Sequence, residues 1–130
     1  MCTLILLLTV NLLADAEATL LKQFRSEFIE ITPGKGKYPK QFDFGVAPTA
    51  RRVTMTRHYD IAKYEVTQGL WQAVMGNNPS RWKGSRNSVE MISLKEARLF
   101  CKRITNRLRE ADLIGPTQVI RLPTEMEWEY

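Results

Sequence analysis

The sequence is poor in metal-binding and disulfide-forming residues. Its 130 residues include one histidine, His58, and two cysteines, Cys2 and Cys101. These numbers exclude a zinc finger, which needs four Cys or His ligands, and a scaffold held by several disulfides. A lone histidine is more often a structural or surface residue than a catalytic one, and His58 is therefore not a candidate site residue.

The sequence also lacks a long apolar run. A membrane-spanning helix needs about 20 consecutive apolar residues, and no run in this sequence is that long. Its longest apolar run, residues 2–14, overlaps the small-x-small tripeptide Ala14-Asp15-Ala16. This combination predicts a signal peptide over residues 1–16, an exported (periplasmic or extracellular) protein and no stable membrane span after cleavage. The alternative is that residues 4–13 form a buried helix or strand.

Composition and charge are those of an ordinary globular domain. Hydrophobic residues make up 44% and charged residues 25%, with a net charge of +5, and the length allows one domain at most.

Residues 81–109 contain nine basic residues against two glutamates, and a basic patch beside Trp82 suits nucleic acid, an acidic glycan or sulfate. Most of these charges lie on the solvent face of one predicted helix, without a nucleic-acid-binding motif, so we predict no nucleic-acid partner.

Two helices are predicted in the middle of the chain. Thr67 is a suitable N-cap for a helix that runs to Met75 and ends at Gly76. Residues 93–96 form a capping box that begins a second helix, which ends at Gly115-Pro116. The predicted buried stripe of this second helix comprises Leu94, Ala97, Cys101, Ile104, Leu108 and Ala111.

Short strands are predicted on either side of these helices. Alternating apolar residues indicate a strand at residues 29–31, one or two strands within residues 52–64, and a short strand at residues 119–122. Residues 18–28 suit either an amphipathic helix or a disordered leader.

A third helix is predicted at the end of the sequence. Thr124 and Glu127 form a capping box only a few residues before Tyr130. Isolated helices of fewer than about 12 residues are marginal, so we expect the protein to continue beyond Tyr130.

This last segment resembles a family signature. Arg121-Leu122-Pro123-Thr124-Glu125 with Glu127-Trp128-Glu129-Tyr130 is similar to the R-L-P-T-E-A-E-W-E-Y motif of the formylglycine-generating enzyme family, also called sulfatase-modifying factors. Three other segments match family motifs in order, and the ordered set is more specific than any one of them. They are Lys63-Tyr64-Glu65-Val66-Thr67-Gln68, Val74-Met75-Gly76-Asn77-Asn78-Pro79-Ser80 and Ser88-Val89-Glu90-Met91-Ile92-Ser93.

The resemblance implies an α+β fold of the C-type-lectin-like, formylglycine-generating-enzyme type, with short irregular strands and two to three helices. In this interpretation residues 17–27 are a leader, and residues 28–130 are the N-terminal part of a truncated sulfatase-modifying factor domain. Leu94 stands where the family commonly has tryptophan, and Met126 where it has alanine. These departures change packing and leave the assignment intact.

The resemblance also implies a function. Active members use copper and molecular oxygen to convert a cysteine in an unfolded sulfatase segment into formylglycine. Their catalytic cysteine pair and calcium-binding loops lie beyond the R-L-P-T-E helix, so we assign no catalytic, cofactor-binding or metal-binding residue to this chain and expect it to be inactive alone. Copper and calcium are expected only in the missing half, and an unfolded sulfatase peptide is the expected partner of the full-length protein. The alternative is a non-catalytic exported lectin-like binding module of the same superfamily.

Within the chain, the family residues are expected to be mainly structural. Cys101 lies on a predicted buried stripe, where a thiol is inert, so we interpret it as structural. The motif glutamates are candidates for hydrogen bonds or salt bridges. They are Glu65, Glu125, Glu127 and Glu129.

Overall fold

The computed structural model describes the backbone of residues 2–130 and the side chains of residues 12–130. Within that part, the chain forms four helices and two antiparallel two-stranded sheets, which confirms the α+β class. The family resemblance implied two to three helices, and the additional helix is the first one in the chain. The helices are α1 (Cys2–Ser26), α2 (Gln68–Met75), α3 (Leu94–Glu110) and α4 (Glu125–Glu129), and the strands are β1 (Phe28–Ile31), β2 (Gln41–Phe44), β3 (Arg51–Thr54) and β4 (Tyr59–Ala62).

The chain divides into two compact units. Unit 1 comprises the residues up to Glu27 together with Tyr64–Leu122, and therefore contains α1, α2 and α3. Unit 2 comprises Phe28–Lys63 and Pro123–Tyr130, and contains both sheets and α4.

The core of unit 1 lies between amphipathic helices. Trp71 of α2 stacks on Phe100 of α3 with ring centroids 5.2 Å apart and planes 10° apart. Ile104 and Leu108, one turn apart on α3, are fully buried. Removing these large apolar side chains from water is the main favourable contribution to folding of this unit.

The C-terminal half of α1 belongs to the same core. Leu21 and Phe24 are buried, and Glu17 forms an ion pair with Arg107 of α3. Residues 18–26 are thus helical, in agreement with the helical alternative for the leader.

In the described part of the chain, no helix is both long and apolar enough to cross a membrane.

The predicted signal peptide covers residues 1–16, and the side chains of residues 1–11 lie outside the described part. Leu12 and Leu13, the apolar side chains that are described there, are exposed. The helix α1 continues through the predicted cleavage position at Ala16. The signal peptide stays a prediction.

Both predicted helix starts in unit 1 are confirmed. The Thr67 side chain accepts a hydrogen bond from the Leu70 amide, and α2 ends at Gly76 in a left-handed conformation with φ of 84°. At the start of α3, the Ser93 hydroxyl accepts from the Glu96 amide while the Glu96 carboxylate accepts from the Ser93 amide at 2.7 Å. These bonds satisfy amide groups that the first turn of a helix leaves without partners.

Three expectations about unit 1 were wrong. Leu94 is 58% exposed and Ala111 is exposed, whereas the buried face of α3 includes Phe100 and Thr105, because an apolar face that packs into a core spans a broad stripe rather than a single line. The helix α3 also ends at Glu110, with Ala111 as its C-cap, rather than at Gly115-Pro116. The third error is the strand at residues 119–122, which are irregular. The Ile120 amide donates to Thr105 Oγ1 at 2.9 Å rather than to a neighbouring strand.

Unit 2 contains the predicted strands and one that was missed. β1 pairs with β4, and β2 pairs with β3, both antiparallel. The stretch 52–64 yields β3 and β4, whereas β2 was not predicted. Its alternation of half-buried Phe42 and Phe44 with exposed Gln41 and Asp43 was a usable signal.

Replacing Leu21 tests whether residues 17–27 are part of the folded core. We expect Leu21→Ala to lower the free energy of unfolding by about 2–5 kcal/mol, the range for a leucine-sized cavity. The matched control is Lys22→Ala on the same helix, where the side chain is exposed and a change of at most about 0.5 kcal/mol is expected. Urea unfolding followed by circular dichroism measures both. Equal effects of the two substitutions would show that Leu21 is not packed.

Glu96→Gln tests the α3 capping box through its pH dependence. Hydrogen bonds from the Ser93 side chain and backbone lower the pKa of Glu96 from its ordinary value of 4.5. The lowered pKa means that the ionised carboxylate stabilises the folded state above pH 4.5, and that this stabilisation is lost as the pH falls through the lowered value. We therefore expect Glu96→Gln to destabilise the protein at neutral pH and the difference from wild type to shrink in acid.

Thermal unfolding of both proteins, from neutral pH to below pH 4.5, measures this difference in stability. The control repeats the substitution in a Ser93→Ala background, where the effect should be smaller because one of the two hydrogen-bond donors to the carboxylate is gone. A difference that does not change with pH would contradict the assignment.

Candidate functional site

A buried side chain with four hydrogen bonds lies at the start of α2. It belongs to Gln68, which is 1% exposed. Its Nε2 donates to the carbonyl oxygens of Trp82 at 2.8 Å and Ser88 at 3.2 Å. Its Oε1 accepts from Asn78 Nδ2 at 2.9 Å and from the Gly84 amide at 3.1 Å. An amide group has two donors and two acceptor lone pairs, so Gln68 uses its full capacity.

Three further side chains extend this network, which we call the Gln68 cluster: Gln68, Asn78, Ser80 and Glu90. Asn78 Oδ1 accepts from the Ser80 amide at 3.1 Å, and the buried Ser80 hydroxyl accepts from the Glu90 amide at 3.1 Å. Glu90 Oε1 in turn accepts from the Trp82 amide at 2.9 Å. Residues 78–90 are thereby fixed to the start of α2.

Backbone contacts strengthen this attachment. The Gln68 amide donates to the Asn87 carbonyl at 2.8 Å, and the Gly69 amide donates to the Ser85 carbonyl at 2.9 Å. A Cβ atom at Gly69 would lie 3.0 Å from the Ser85 carbonyl oxygen. Glycine at this position therefore permits the close approach of the loop to α2.

The loop that this cluster holds presents one large aromatic side chain and several cations to solvent. Trp82 is 68% exposed, and the Arg81 guanidinium carbon lies 5.3 Å from its ring centroid. Lys83 and Arg86 are also exposed. We call this set, Arg81, Trp82, Lys83 and Arg86, the Trp82 surface.

The signature segment at the end of the chain organises unit 2 in a comparable way. Thr124 and Glu127 form the predicted capping box of α4. The Glu129 carboxylate accepts from the Gly45 amide at 2.7 Å, and the Tyr59 hydroxyl donates to the Glu127 carbonyl at 3.0 Å. α4 thus binds the loop after β2 and the first residue of β4.

Tyr130 adds a further contact in unit 2. Its hydroxyl donates to the Pro39 carbonyl at 2.5 Å, and its ring packs edge-on against Phe42 with centroids 5.2 Å apart. Desolvation, with a smaller contribution from Tyr38, raises the pKa of the Tyr130 hydroxyl. The hydroxyl therefore stays protonated and remains a donor at neutral pH.

The described residues do not fit the copper ion that the family resemblance implies. Cys101 is buried, and desolvation raises the pKa of its thiol, which disfavours the thiolate that binds copper. No group of three or more His, Cys, Asp or Glu side chains that could hold a metal ion is present in the described part of the chain.

The motif glutamates have different environments. Glu127 and Glu129 form the expected hydrogen bonds, to the Thr124 and Gly45 amides. In the described structure Glu65 and Glu125 are exposed, and neither carboxylate has a hydrogen-bond or salt-bridge partner. His58 is exposed as well.

Sequence analysis did not single out the residues of the Gln68 cluster. Gln68, Asn78, Ser80 and Glu90 nevertheless all lie within the motif segments that carry the resemblance. Polar residues at fixed positions in three separate motifs were the available signal for a buried network.

Comparison with known proteins supports the same assignment. The profile described as Sulfatase-modifying factor enzyme 1-like domain matches residues 16–130, most of the chain. The chain belongs to the sulfatase-modifying factor family. The match begins before residue 28, so it includes the part of α1 that packs in unit 1.

This sulfatase-modifying factor chain is also similar to a protein named Chaperone protein LppX from Paenibacillus barcinonensis. The two are 36% identical over an alignment of 105 residues that covers 62% of this chain and 37% of the relative. The chain therefore spans well under half the length of the relative that it matches. No solved structure matches the chain.

Replacing Gln68 tests the network. Gln68→Leu keeps most of the side-chain volume but leaves the carbonyl and amide partners without hydrogen bonds, at about 1–3 kcal/mol for each buried group. We expect a loss of about 3 kcal/mol or more in the free energy of unfolding. Gln72→Leu, on the exposed face of the same helix, is the matched control and should change stability by at most about 0.5 kcal/mol.

Urea unfolding followed by tryptophan fluorescence measures both variants. A Gln68→Leu protein as stable as the Gln72→Leu control would show that the loop does not depend on this side chain.

Proposed function

We propose that this chain is the N-terminal structural part of a formylglycine-generating oxidase, which converts a cysteine of an unfolded sulfatase segment into formylglycine. The observation that carries the proposal is the family signature at residues 121–130. Its capped helix α4 is bonded through Glu127, Glu129 and Tyr130 to three other segments of unit 2. Family membership over residues 16–130 supports the same function.

In this proposal the chain supplies scaffolding and the rest of the protein supplies the reactive groups. The described residues hold no group suited to copper, and the relative named above is much longer than this chain. The catalytic cysteine pair and the copper and calcium sites would then lie in a part of the protein outside these 130 residues. Copper with molecular oxygen would supply the oxidising chemistry, while the Gln68 cluster would stabilise unit 1 and α4 would stabilise unit 2.

Export is part of the proposal. The apolar residues 2–14 and the small-x-small tripeptide that follows support a signal peptide, which would place the protein in the periplasm or outside the cell. An exported enzyme of this kind would meet its sulfatase partner as an unfolded peptide.

A second candidate is a non-catalytic exported binding protein of the same superfamily. The name of the Paenibacillus relative, a chaperone, favours this candidate. A chaperone binds a polypeptide without changing its covalent structure, so the two candidates differ in whether a product forms.

A turnover experiment separates the two candidates. The full-length protein is incubated with copper, oxygen and a cysteine-containing sulfatase peptide, and mass spectrometry follows replacement of the thiol by an aldehyde. We expect the aldehyde with this peptide and none with the serine-substituted control peptide. We also expect none with the 130-residue chain alone.

Absence of aldehyde with the copper-loaded full-length protein would contradict the oxidase proposal. If that protein also suppressed aggregation of an unfolded sulfatase, the binding candidate would replace it.

A further inference from the structure

We infer that the Trp82 surface is a docking site for an acidic segment of a partner polypeptide. The inference does not depend on oxidase activity, and it concerns a part of the chain remote in sequence from the signature helix. It rests on the exposure of Trp82, the charge around it and the rigidity of the loop that carries it.

The first observation is that the Trp82 side chain is exposed while the backbone beneath it is fixed. The Trp82 amide is bound by Glu90, and its carbonyl is bound by Gln68, although the indole is 68% exposed. A large side chain on a preorganised backbone loses little conformational entropy on binding, which favours affinity. Tryptophan and arginine are also the residues most enriched at the energetic centres of protein interfaces.

The second observation is that the charge of this surface is one-sided. In the described structure Arg81, Lys83 and Arg86 form no salt bridge. Lys83 Nζ donates to the Asn78 carbonyl at 2.7 Å, which orients the ammonium group and leaves two of its three donors. The loop contains one carboxylate, that of Glu90, which is half-buried and accepts from the Trp82 amide, so three cations stand against one anion. The surface therefore attracts an anionic partner.

The third observation concerns which anionic partner fits. Several amides and carbonyls of the loop are used in internal hydrogen bonds. The exposed side chains of residues 81–88 are one indole, three cations and the small polar side chains of Ser85, Asn87 and Ser88. Single-stranded nucleic acids are bound by successive aromatic side chains along a groove, and anionic membranes by clusters of four to eight Lys or Arg. Sulfated glycans are bound by longer basic patches. A single aromatic with three cations matches a short peptide in which a few carboxylates flank one apolar side chain.

The test measures peptide binding by the full-length protein. The probe is a fluorescein-labelled peptide with several glutamates around a single phenylalanine in a glycine–serine background, and its twin has glutamine in place of each glutamate. Fluorescence anisotropy gives the dissociation constants at low and at physiological ionic strength. We expect the acidic peptide to bind at least about tenfold more tightly than its twin, and more weakly as salt increases.

Three variants locate the site. Trp82→Ala and the triple variant Arg81→Gln, Lys83→Gln, Arg86→Gln should each weaken binding about tenfold or more. The matched control removes the same charge from the exposed face of α3 by Lys95→Gln, Arg98→Gln and Lys102→Gln, and should change binding by at most about threefold. Circular dichroism confirms that each variant is folded.

Three results would overturn the inference. One is equal weakening by the loop and α3 triple variants, which would indicate general attraction to a basic protein. Another is an unchanged affinity in Trp82→Ala. The third is tighter binding of a heparin oligosaccharide, a single-stranded oligonucleotide or anionic lipid vesicles than of the acidic peptide.

Discussion

Four hydrogen bonds to one buried side chain determine how the loop at residues 78–88 is arranged against α2. Gln68 contacts Asn78, Trp82, Gly84 and Ser88, which span eleven positions of a loop without regular secondary structure. A loop of that length has many conformations of similar energy unless its backbone groups find fixed partners. Because Gln68 is buried and uses all of its hydrogen-bonding capacity, a rearrangement of the loop would leave part of its amide group without a partner and shielded from water.

This constraint gives a physical meaning to the family motifs. In unit 1, the motif residues around Gln68 hold a loop against the N-terminus of a helix. In unit 2, the residues of the R-L-P-T-E-x-E-W-E-Y segment cap α4 and attach it to Gly45, Tyr59 and Pro39. The motifs that identify the family therefore act in this chain as architecture, and the proposed oxidase chemistry falls to residues outside it. The same architecture leaves Trp82 and its neighbouring cations free to meet a partner.

Sequence reasoning was most successful where structure is determined by local interactions. The capping boxes at Ser93 and Thr124 and the glycine end of α2 were predicted to the residue, because a cap depends on side chains three positions apart. The strand predicted at residues 119–122 failed because strand formation requires a partner, and Thr105 provides a different one. The width of the buried face of α3 was underestimated for a similar reason, since Phe100 is buried by stacking on Trp71, a contact between helices.

The Gln68 cluster was beyond local reasoning, because its members are up to twenty-two positions apart and are polar residues that usually face solvent. Amide hydrogen exchange tests most directly whether this cluster holds the loop in place. If Gln68 and Glu90 hold the loop, the Trp82 and Gly84 amide protons exchange as slowly as those of α2, and both lose protection in Gln68→Leu while α3 keeps its own. Rapid exchange of these two amides in the wild-type protein, with α2 and α3 protected, would contradict the account.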